Sequence, residues 1–293
     1  MIDLHCHSTA SDGTVAPEEM PAMAHVAGLS ALALTDHDTI DGVEAFMNAG
    51  KKFPAITFLA GVELAGSVSS GEHYHLVGLG IDPTNAMLCA LMAQLVDYRH
   101  QRNEQMLVKL REVGVDLSLE QVQSCNENAV LGRPHFAKAM VGMGVCRTMR
   151  NAFDRYLGRG KPAYVGRKVP TAAECLQALR AAGGVSIWAH PMTSNSMTGS
   201  KCLRIVDELQ ADGLDGIEAY YPEHTKGQTD TVRSIARERG LLLSGGTDFH
   251  GENIPGLQLG IGKGHPFQVP DCLLQPIIDR IAARPPAKHL RRR

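Results

Sequence analysis

Ala31-Leu32-Ala33-Leu34-Thr35-Asp36-His37-Asp38-Thr39 is a short apolar run that breaks off into a histidine between two carboxylates. A run of this length with polar residues at its end reads as a buried strand. The stretch before it repeats the pattern. Met1-Ile2-Asp3-Leu4-His5 reads as a strand, and residues 16–27, with Pro17 near the first turn, read as a helix between the two. Beyond Thr39 a helix is expected around 40–51 and a third strand over 56–62. This βαβα order predicts parallel strands covered by helices.

Residues 91–161 break the rhythm. Helical spacing takes over at 92–112 and 136–143, and β-branched runs nearly vanish. The segment carries 11 Lys and Arg against 7 Asp and Glu, a balance of +4, and the rest of the chain balances to −6. Charge bias alone favours a solvated helical face over a ligand site. After Pro170 the alternation returns, with a helix over 172–182, strands at 185–189, 216–220 and 241–244, and a helix over 229–239. The expected organisation is a barrel made of residues 1–90 and 166–293, interrupted by a helical insertion over 91–165, with a basic tail at the end. No internal repeat is visible.

Composition excludes several classes. The chain has 293 residues, 44% of them apolar, and a net charge of −2, so no global basic field draws it to nucleic acid. Its seven cysteines are widely spaced and form no CxxC pair, which argues against a disulfide framework or a thiolate zinc site and for reduced thiols in the cytoplasm. The opening MIDLHCH has no basic or apolar leader region, and no run of 18 apolar residues exists, so neither a signal peptide nor a membrane span is expected. The ending ARPPAKHLRRR reads as a solvated basic tail, with a nucleic-acid arm as the alternative.

The chemistry sits where strands end. His5 and His7, Asp36 to Asp38, Glu63, His73 and His75, His190, and Asp248 with His250 each border an apolar run. In a parallel barrel the strand C-termini share one face, so residues remote in sequence converge there. Polar groups at six strand ends are hard to explain as packing. His5-Cys6-His7 places two imidazoles on one face of an extended segment and leaves Cys6 on the other, as a buried core thiol. Asp248-Phe249-His250 repeats this spacing after Gly245-Gly246, which lets the backbone pass close to a site. Asp36 and Asp38 are expected either to orient the ligating His37 or, for Asp38, to cap a helix. Asp12-Gly13 reads as a turn until its nearness to His5 and His7 promotes Asp12. Imidazoles and carboxylates without thiolate suit Mn²⁺, Zn²⁺ or Fe²⁺, and so many ligands imply more than one ion.

Taken together, His5-Cys6-His7-Ser8, Ser11-Asp12-Gly13-Thr14, Thr35-Asp36-His37-Asp38, Gly61-Val62-Glu63, His75-Leu76-Val77-Gly78, Ala189-His190-Pro191 and Gly246-Thr247-Asp248-Phe249-His250 resemble, in order, the motifs of the polymerase and histidinol phosphatase (PHP) superfamily. Gly132-Arg133-Pro134-His135 and residues 156–164 resemble its nucleotide-phosphatase branch, which includes 3',5'-nucleoside bisphosphate phosphatases and a 5'-3' exoribonuclease. The resemblance implies an α/β fold, a distorted (β/α)7 barrel (PHP fold) with an inserted small helical domain. It also implies two or three divalent ions, with Mn²⁺ favoured and Zn²⁺, Fe²⁺ or Mg²⁺ as alternatives. By the same resemblance His5, His7, Glu63 and Asp248 hold one ion. Glu63 is shared with a second, bound by His75 and His190, and Asp12, His37 and His250 take a third. His75 is preferred to His73 because it precedes the apolar pair and glycine of the motif.

The expected activity is metal-dependent hydrolysis of a phosphate monoester on a small nucleotide, most productively a nucleoside 3',5'-bisphosphate; the resemblance implies release of its 3'-phosphate, and the residues alone leave open which end is cleaved. AMP and short RNA are further substrates in this reading. No nucleophile elbow is present, so direct attack by metal-activated hydroxide is expected, with Asp12, His37 and His250 at the catalytic ion. Arg133 and His135 are expected to bind a second phosphate, with Arg159 and Lys161 adding positive charge. Tyr156, Tyr164, Tyr220 and Tyr221 are candidates to stack a base. No protein partner is implied. The alternatives are a histidinol-phosphate phosphatase and a catalytically silent metal-binding module.

Overall fold

The computed structural model describes residues 1–124, 131–194, 196–264 and 267–284. Most of the basic tail therefore lies outside the described residues, as does Cys125. The chain divides into two compact units, one of Met1–Met92 with the residues from Pro170 onward, the other Ala93–Val169.

In chain order the elements are β1 (Ile2–Asp3), α1 (Met20–Val26), β2 (Ala31–Leu34), α2 (Val43–Gly50), β3 (Thr57–Ser67), β4 (His73–Leu79), α3 (Ala86–Glu112), α4 (Leu119–Gln123), α5 (Arg133–Gly142), α6 (Met149–Ala152), α7 (Ala172–Ala181), β5 (Val185–Trp188), α8 (Gly199–Ala211), β6 (Gly216–Tyr220), α9 (Lys226–Arg239), β7 (Leu242–Gly245) and α10 (Leu274–Ala282). The seven strands form one sheet in sequence order. The sheet curls until its ends meet. Leu4 N donates to Gly245 O, Asp248 N to His5 O and His7 N to Phe249 O, at 3.1, 2.8 and 2.8 Å. This is the distorted barrel that the sequence leads one to expect.

One strand departs from the all-parallel expectation. β4 runs antiparallel to both β3 and β5. Only residues 68–72 join β3 to β4. A parallel connection needs a crossover of about a dozen residues, so this short link dictates a hairpin. The reversal brings the start of β4 to the end of the barrel where the parallel strands finish. His75 lies opposite Ala65, and Val77 opposite Glu63.

Alternation then sorts the side chains. Leu59, Val77, Leu79, Val185 and Ile187 pack into one cluster, which Ile277 of α10 joins. Glu63 and His75 lie on that same face, nearer the opposite end of their strands. Leu32 and Leu34 point to the other face and pack with Cys6, Met20 and Phe46 under α1 and α2. Helix α7 starts with a capping box in which Thr171 and Glu174 satisfy each other's backbone N–H. Helix α9 ends at Gly240, whose φ of 64° is the left-handed turn that favours glycine. Two helices, α8 and α10, were not anticipated from the sequence. The buried face of α8, Cys202, Ile205, Val206 and Leu209, has ordinary helical spacing.

The second unit is helical. Met106, Leu110, Val122, Phe136, Met140 and Leu157 form its core. Ser118 and Gln121 form a capping box that starts α4, and Gly132 precedes α5 with Pro134 in its first turn. Pro134 is therefore part of the helix start, where its missing N–H costs nothing.

Candidate metal centre

The ends of β1, β2, β3, β5 and β7 and the start of β4 bring nine side chains together. His5, His7, Glu63 and Asp248 form one group able to hold an ion, His7, Asp12, His37 and His250 a second, and His37, Glu63 and His75 a third. His190 is outside these groups, yet its Nε2 lies 3.1 Å from Glu63 Oε1. His73 is exposed and belongs to none of them.

Glu63 is the hub. Its Oε1 lies 3.0 Å from His75 Nδ1 and 3.1 Å from His190 Nε2. Its Oε2 lies 3.3 Å from His5 Nε2, 3.3 Å from His7 Nε2 and 2.8 Å from His37 Nδ1. Each oxygen thus faces its own set of imidazoles. Asp248 Oδ1 lies 3.4 Å from His5 Nε2 and 3.0 Å from His7 Nε2. Asp12 sits at the rim, 56% exposed, with Oδ1 3.2 Å from His250 Nε2 and Oδ2 3.9 Å from His37 Nε2.

The donor set fits divalent cations. His5 Nε2, both ring nitrogens of His7, Glu63 Oε2, His75 Nδ1 and Asp248 Oδ1 are buried and make no hydrogen bond among the described residues. An orphaned buried polar atom costs on the order of 1–3 kcal/mol. Four of these atoms, His5 Nε2, His7 Nε2, Glu63 Oε2 and Asp248 Oδ1, face one another at 3.0–3.4 Å, the signature of a shared cation, and the clusters together have the capacity for two or three divalent ions. The electrostatics agree. Burial opposes ionisation of Glu63, but His37, His5 and His75 overcome it and hold the carboxyl well below its usual range. Burial, reinforced by His37, pushes His7 down to about 3, which leaves the neutral imidazole a metal requires.

Backbone and neighbours hold this arrangement. A Cβ on Gly246 would meet His5 Cβ at 2.4 Å and His5 N at 2.5 Å, so only glycine permits the approach. Asp38, His190 and Asp248 are the non-glycine residues with positive φ among the described residues, at 50°, 32° and 54°. All three follow strands at this end of the barrel, where backbone strain is tolerated for function.

Several sequence expectations need revision. Asp36 accepts hydrogen bonds from Ser8 N, Ser8 Oγ and Ser11 Oγ at 2.7, 2.7 and 2.6 Å, so it ties down the loop after β1. Asp38 caps no helix; α2 begins after Gly42, and Asp38 Oδ1 accepts from Ala65 N at 3.3 Å. Cys6 is the buried thiol that alternation predicts, donating to Ala33 O at 2.9 Å. Three supporting roles escaped the sequence reading. Asp3, buried, accepts from Thr247 N and Oγ1 and from Gly260 N at 2.9, 2.6 and 2.9 Å, and burial pushes its carboxyl up to about 6. Glu218 Oε1 lies 3.1 Å from His5 Nδ1. Tyr221, named above as a stacking candidate, also donates its hydroxyl to Asp248 Oδ2 at 3.1 Å. Nothing in the sequence marks Glu218, which sits inside an apolar run and not at its end.

The other expected residues lie in the helical unit. Arg133, the first residue of α5, places its guanidinium 5.9 Å from the Phe153 ring centre and 5.5 Å from that of Tyr164. His135 Nδ1 accepts from Gly132 N at 2.9 Å. Arg159 and Lys161 are exposed. Tyr156 lies beneath Arg155 at 5.0 Å, and Tyr220 packs against the barrel core. Among the described residues no helix is long and apolar enough to cross a membrane.

Comparison with known proteins gives this geometry a family. The PHP domain matches residues 3–132. A 5'-3' exoribonuclease of Haemophilus influenzae is 36% identical over 248 residues, 85% of this chain and 89% of that protein. A 3',5'-nucleoside bisphosphate phosphatase of Chromobacterium violaceum is 35% identical over 286 residues, 97% of each chain. The solved structure of an amidohydrolase from Chromobacterium violaceum, with bound sulfate and no metal, matches with a TM-score of 0.78 at 33% identity, covering 97% of this chain and 96% of that one. With the ligand-rich barrel end and these relatives, the chain belongs to the PHP superfamily of metal-dependent phosphoesterases, related to the branch of 3',5'-nucleoside bisphosphate phosphatases and 5'-3' exoribonucleases.

Proposed function

We propose that the protein hydrolyses the 3'-phosphate of nucleoside 3',5'-bisphosphates, leaving a 5'-mononucleotide, with 5'-mononucleotides such as AMP as slower substrates. The observation that carries the phosphoesterase reading is the Glu63 carboxylate, whose two oxygens face separate sets of imidazoles. The bisphosphate reading draws on the Chromobacterium violaceum phosphatase, similar over 97% of both chains.

In this reading His5, His7, Glu63 and Asp248 would hold one ion, and His75 and His190 together with Glu63 would hold a second. Asp12, His37 and His250 would hold the third. Bound divalent ions would supply an activated water and neutralise charge developing on the phosphoryl oxygens. The Ser and Thr hydroxyls bordering the centre are tied to buried carboxylates that hold the loops. Ser8 and Ser11 donate to Asp36, and Thr247 donates to Asp3. The Cys6 thiol is buried, and that burial pushes it well above its ordinary range. Hydrolysis therefore proceeds without a phospho-enzyme. Asp12, on the exposed rim, meets the incoming substrate first and orients His250 through its Oδ1.

A bisphosphate offers two anions. The side chains around Glu63 would hold the ions that neutralise the phosphate being cleaved, and in the helical unit Arg133 and His135, helped by Arg159 and Lys161, form a group suited to bind phosphate. Stacking on Phe153 and Tyr164 uses the faces of the Arg133 guanidinium and leaves its N–H edges for a planar-fork contact with phosphate. Short RNA is the second reading, favoured by the 36% identical Haemophilus influenzae exoribonuclease.

The test is phosphate release at saturating Mn²⁺ from adenosine 3',5'-bisphosphate, AMP, 3'-AMP, a short RNA and histidinol phosphate. The bisphosphate is expected to give the highest kcat/KM, with AMP as product. A highest kcat/KM on histidinol phosphate overturns the nucleotide assignment.

A further inference from the structure

Glu218 lies in the middle of β6, is 2% exposed, and belongs to none of the three ligand groups. Its carboxylate is nevertheless committed to two of their members. Oε1 and Oε2 lie 3.1 and 3.4 Å from His5 Nδ1, and Oε2 accepts the backbone N–H of His190 at 2.7 Å. We propose that Glu218 is a positioning residue that sets the imidazole of His5 and the left-handed turn at His190 from one carboxylate, so that the ion sites on either side of Glu63 are built together. The inference rests on the metal-centre reading above.

The geometry argues for orientation. A carboxylate on Nδ1 fixes the proton there, so the lone pair of His5 sits on Nε2. That atom is buried, makes no hydrogen bond among the described residues, and points at Glu63 Oε2 and Asp248 Oδ1. His5 is thus held in the one tautomer that can ligate a cation on the site side. The second contact acts through the backbone. His190 has φ of 32°, a conformation that non-glycine residues adopt only when their surroundings enforce it. The 2.7 Å bond to Glu218 enforces it, and the His190 ring then reaches Glu63 Oε1. His5 touches Oε2 of Glu63 and His190 touches Oε1, so Glu218 spans both sides of the hub.

A glutamine at this position has nearly the same shape but one acceptor oxygen. It can serve His5 Nδ1–H or His190 N–H, and it presents an N–H to the other. The experiment measures Mn²⁺ affinity by titration calorimetry and metal content by elemental analysis for the wild-type chain and E218Q, well below their melting temperatures. The visible spectrum of each Co²⁺-loaded protein is recorded alongside. E218Q is expected to bind Mn²⁺ roughly 10–100-fold more weakly and to show an altered Co²⁺ spectrum. Wild-type affinity with an unchanged Co²⁺ spectrum overturns the proposal, even if E218Q melts lower, because that result is what a merely structural residue gives. If E218Q fails to fold, E218D takes its place; it keeps a carboxylate one methylene short and is expected to lose affinity as well. Wild-type affinity in E218D then overturns the proposal. A wild-type chain that binds no Mn²⁺ overturns the metal-centre reading and this inference with it, whereas a wild-type chain that binds Mn²⁺ but prefers another phosphate ester refutes only the substrate assignment.

Discussion

His190 Nε2 lies 3.1 Å from Oε1 of Glu63 although 127 residues separate the two in the chain. The other oxygen of the same carboxylate faces His5, His7 and His37. Replacing Glu63 with Gln removes the charge that balances these imidazoles while keeping the shape. Glu63→Gln is expected to lower metal content measured by elemental analysis and to cut kcat by about 10³-fold, the equivalent of several kcal/mol of charge stabilisation. Full metal content with wild-type turnover would remove Glu63 from the centre.

Metal binding should depend on pH with a definite sign. Burial opposes protonation of His37 and His190, but Glu63 overcomes it and raises both above the ordinary imidazole value; for His250, Asp12 and Asp248 do the same. In the chelated protein, protonation of these raised groups contributes stability that is fully present below the unfolded imidazole value and is lost as pH rises through the raised one. Protons also compete with cations for the same nitrogens. The rise in Tm on adding Mn²⁺ should therefore be larger at pH 8 than at pH 6. Differential scanning fluorimetry at the two pH values measures it, and a larger rise at pH 6 would contradict it.

Gly246 tests the backbone approach to His5. A methyl group there meets His5 atoms at 2.4 and 2.5 Å. Gly246→Ala is expected to cost about 1–3 kcal/mol by overpacking, read as a lower Tm in chelator, and to weaken Mn²⁺ binding because His5 must move. An unchanged Tm would show that the seam between β1 and β7 gives way more easily than its hydrogen bonds suggest.

The barrel was legible because its strands stop at chemistry: Leu34 gives way to Asp36 and His37, and Gly246 to Asp248 and His250. The antiparallel β4 was less so: the expected third strand stopped at 62 and no strand was placed over 73–79, so the short link over 68–72 that dictates the hairpin was not seen. Glu218 was not legible, because it sits inside Gly216-Ile217-Glu218-Ala219-Tyr220 and does not stand at the end of the run. A lone acid in an apolar strand shows its role only when the fold reveals what it faces. The same holds for Asp36, whose partners Ser8 and Ser11 lie on another loop. Spacing identified which side chains share a face, but not which of them bond each other.

Arg133 separates substrate binding from metal binding. A charge-assisted hydrogen bond contributes about 1.5–3 kcal/mol, so Arg133→Ala should lower kcat/KM on adenosine 3',5'-bisphosphate by roughly 10–100-fold and leave metal content at the wild-type level. Near wild-type kcat/KM on the bisphosphate would exclude Arg133 from phosphate recognition.

The most direct measurement of the central claim is a crystal structure of the Mn²⁺-loaded protein with anomalous scattering at the manganese edge. Two ions are predicted on either side of Glu63, each touching one of its oxygens and roughly 3.5–4 Å apart, with His75 and His190 on the Oε1 side. Anomalous peaks that leave the Glu63 carboxylate without an ion would contradict it.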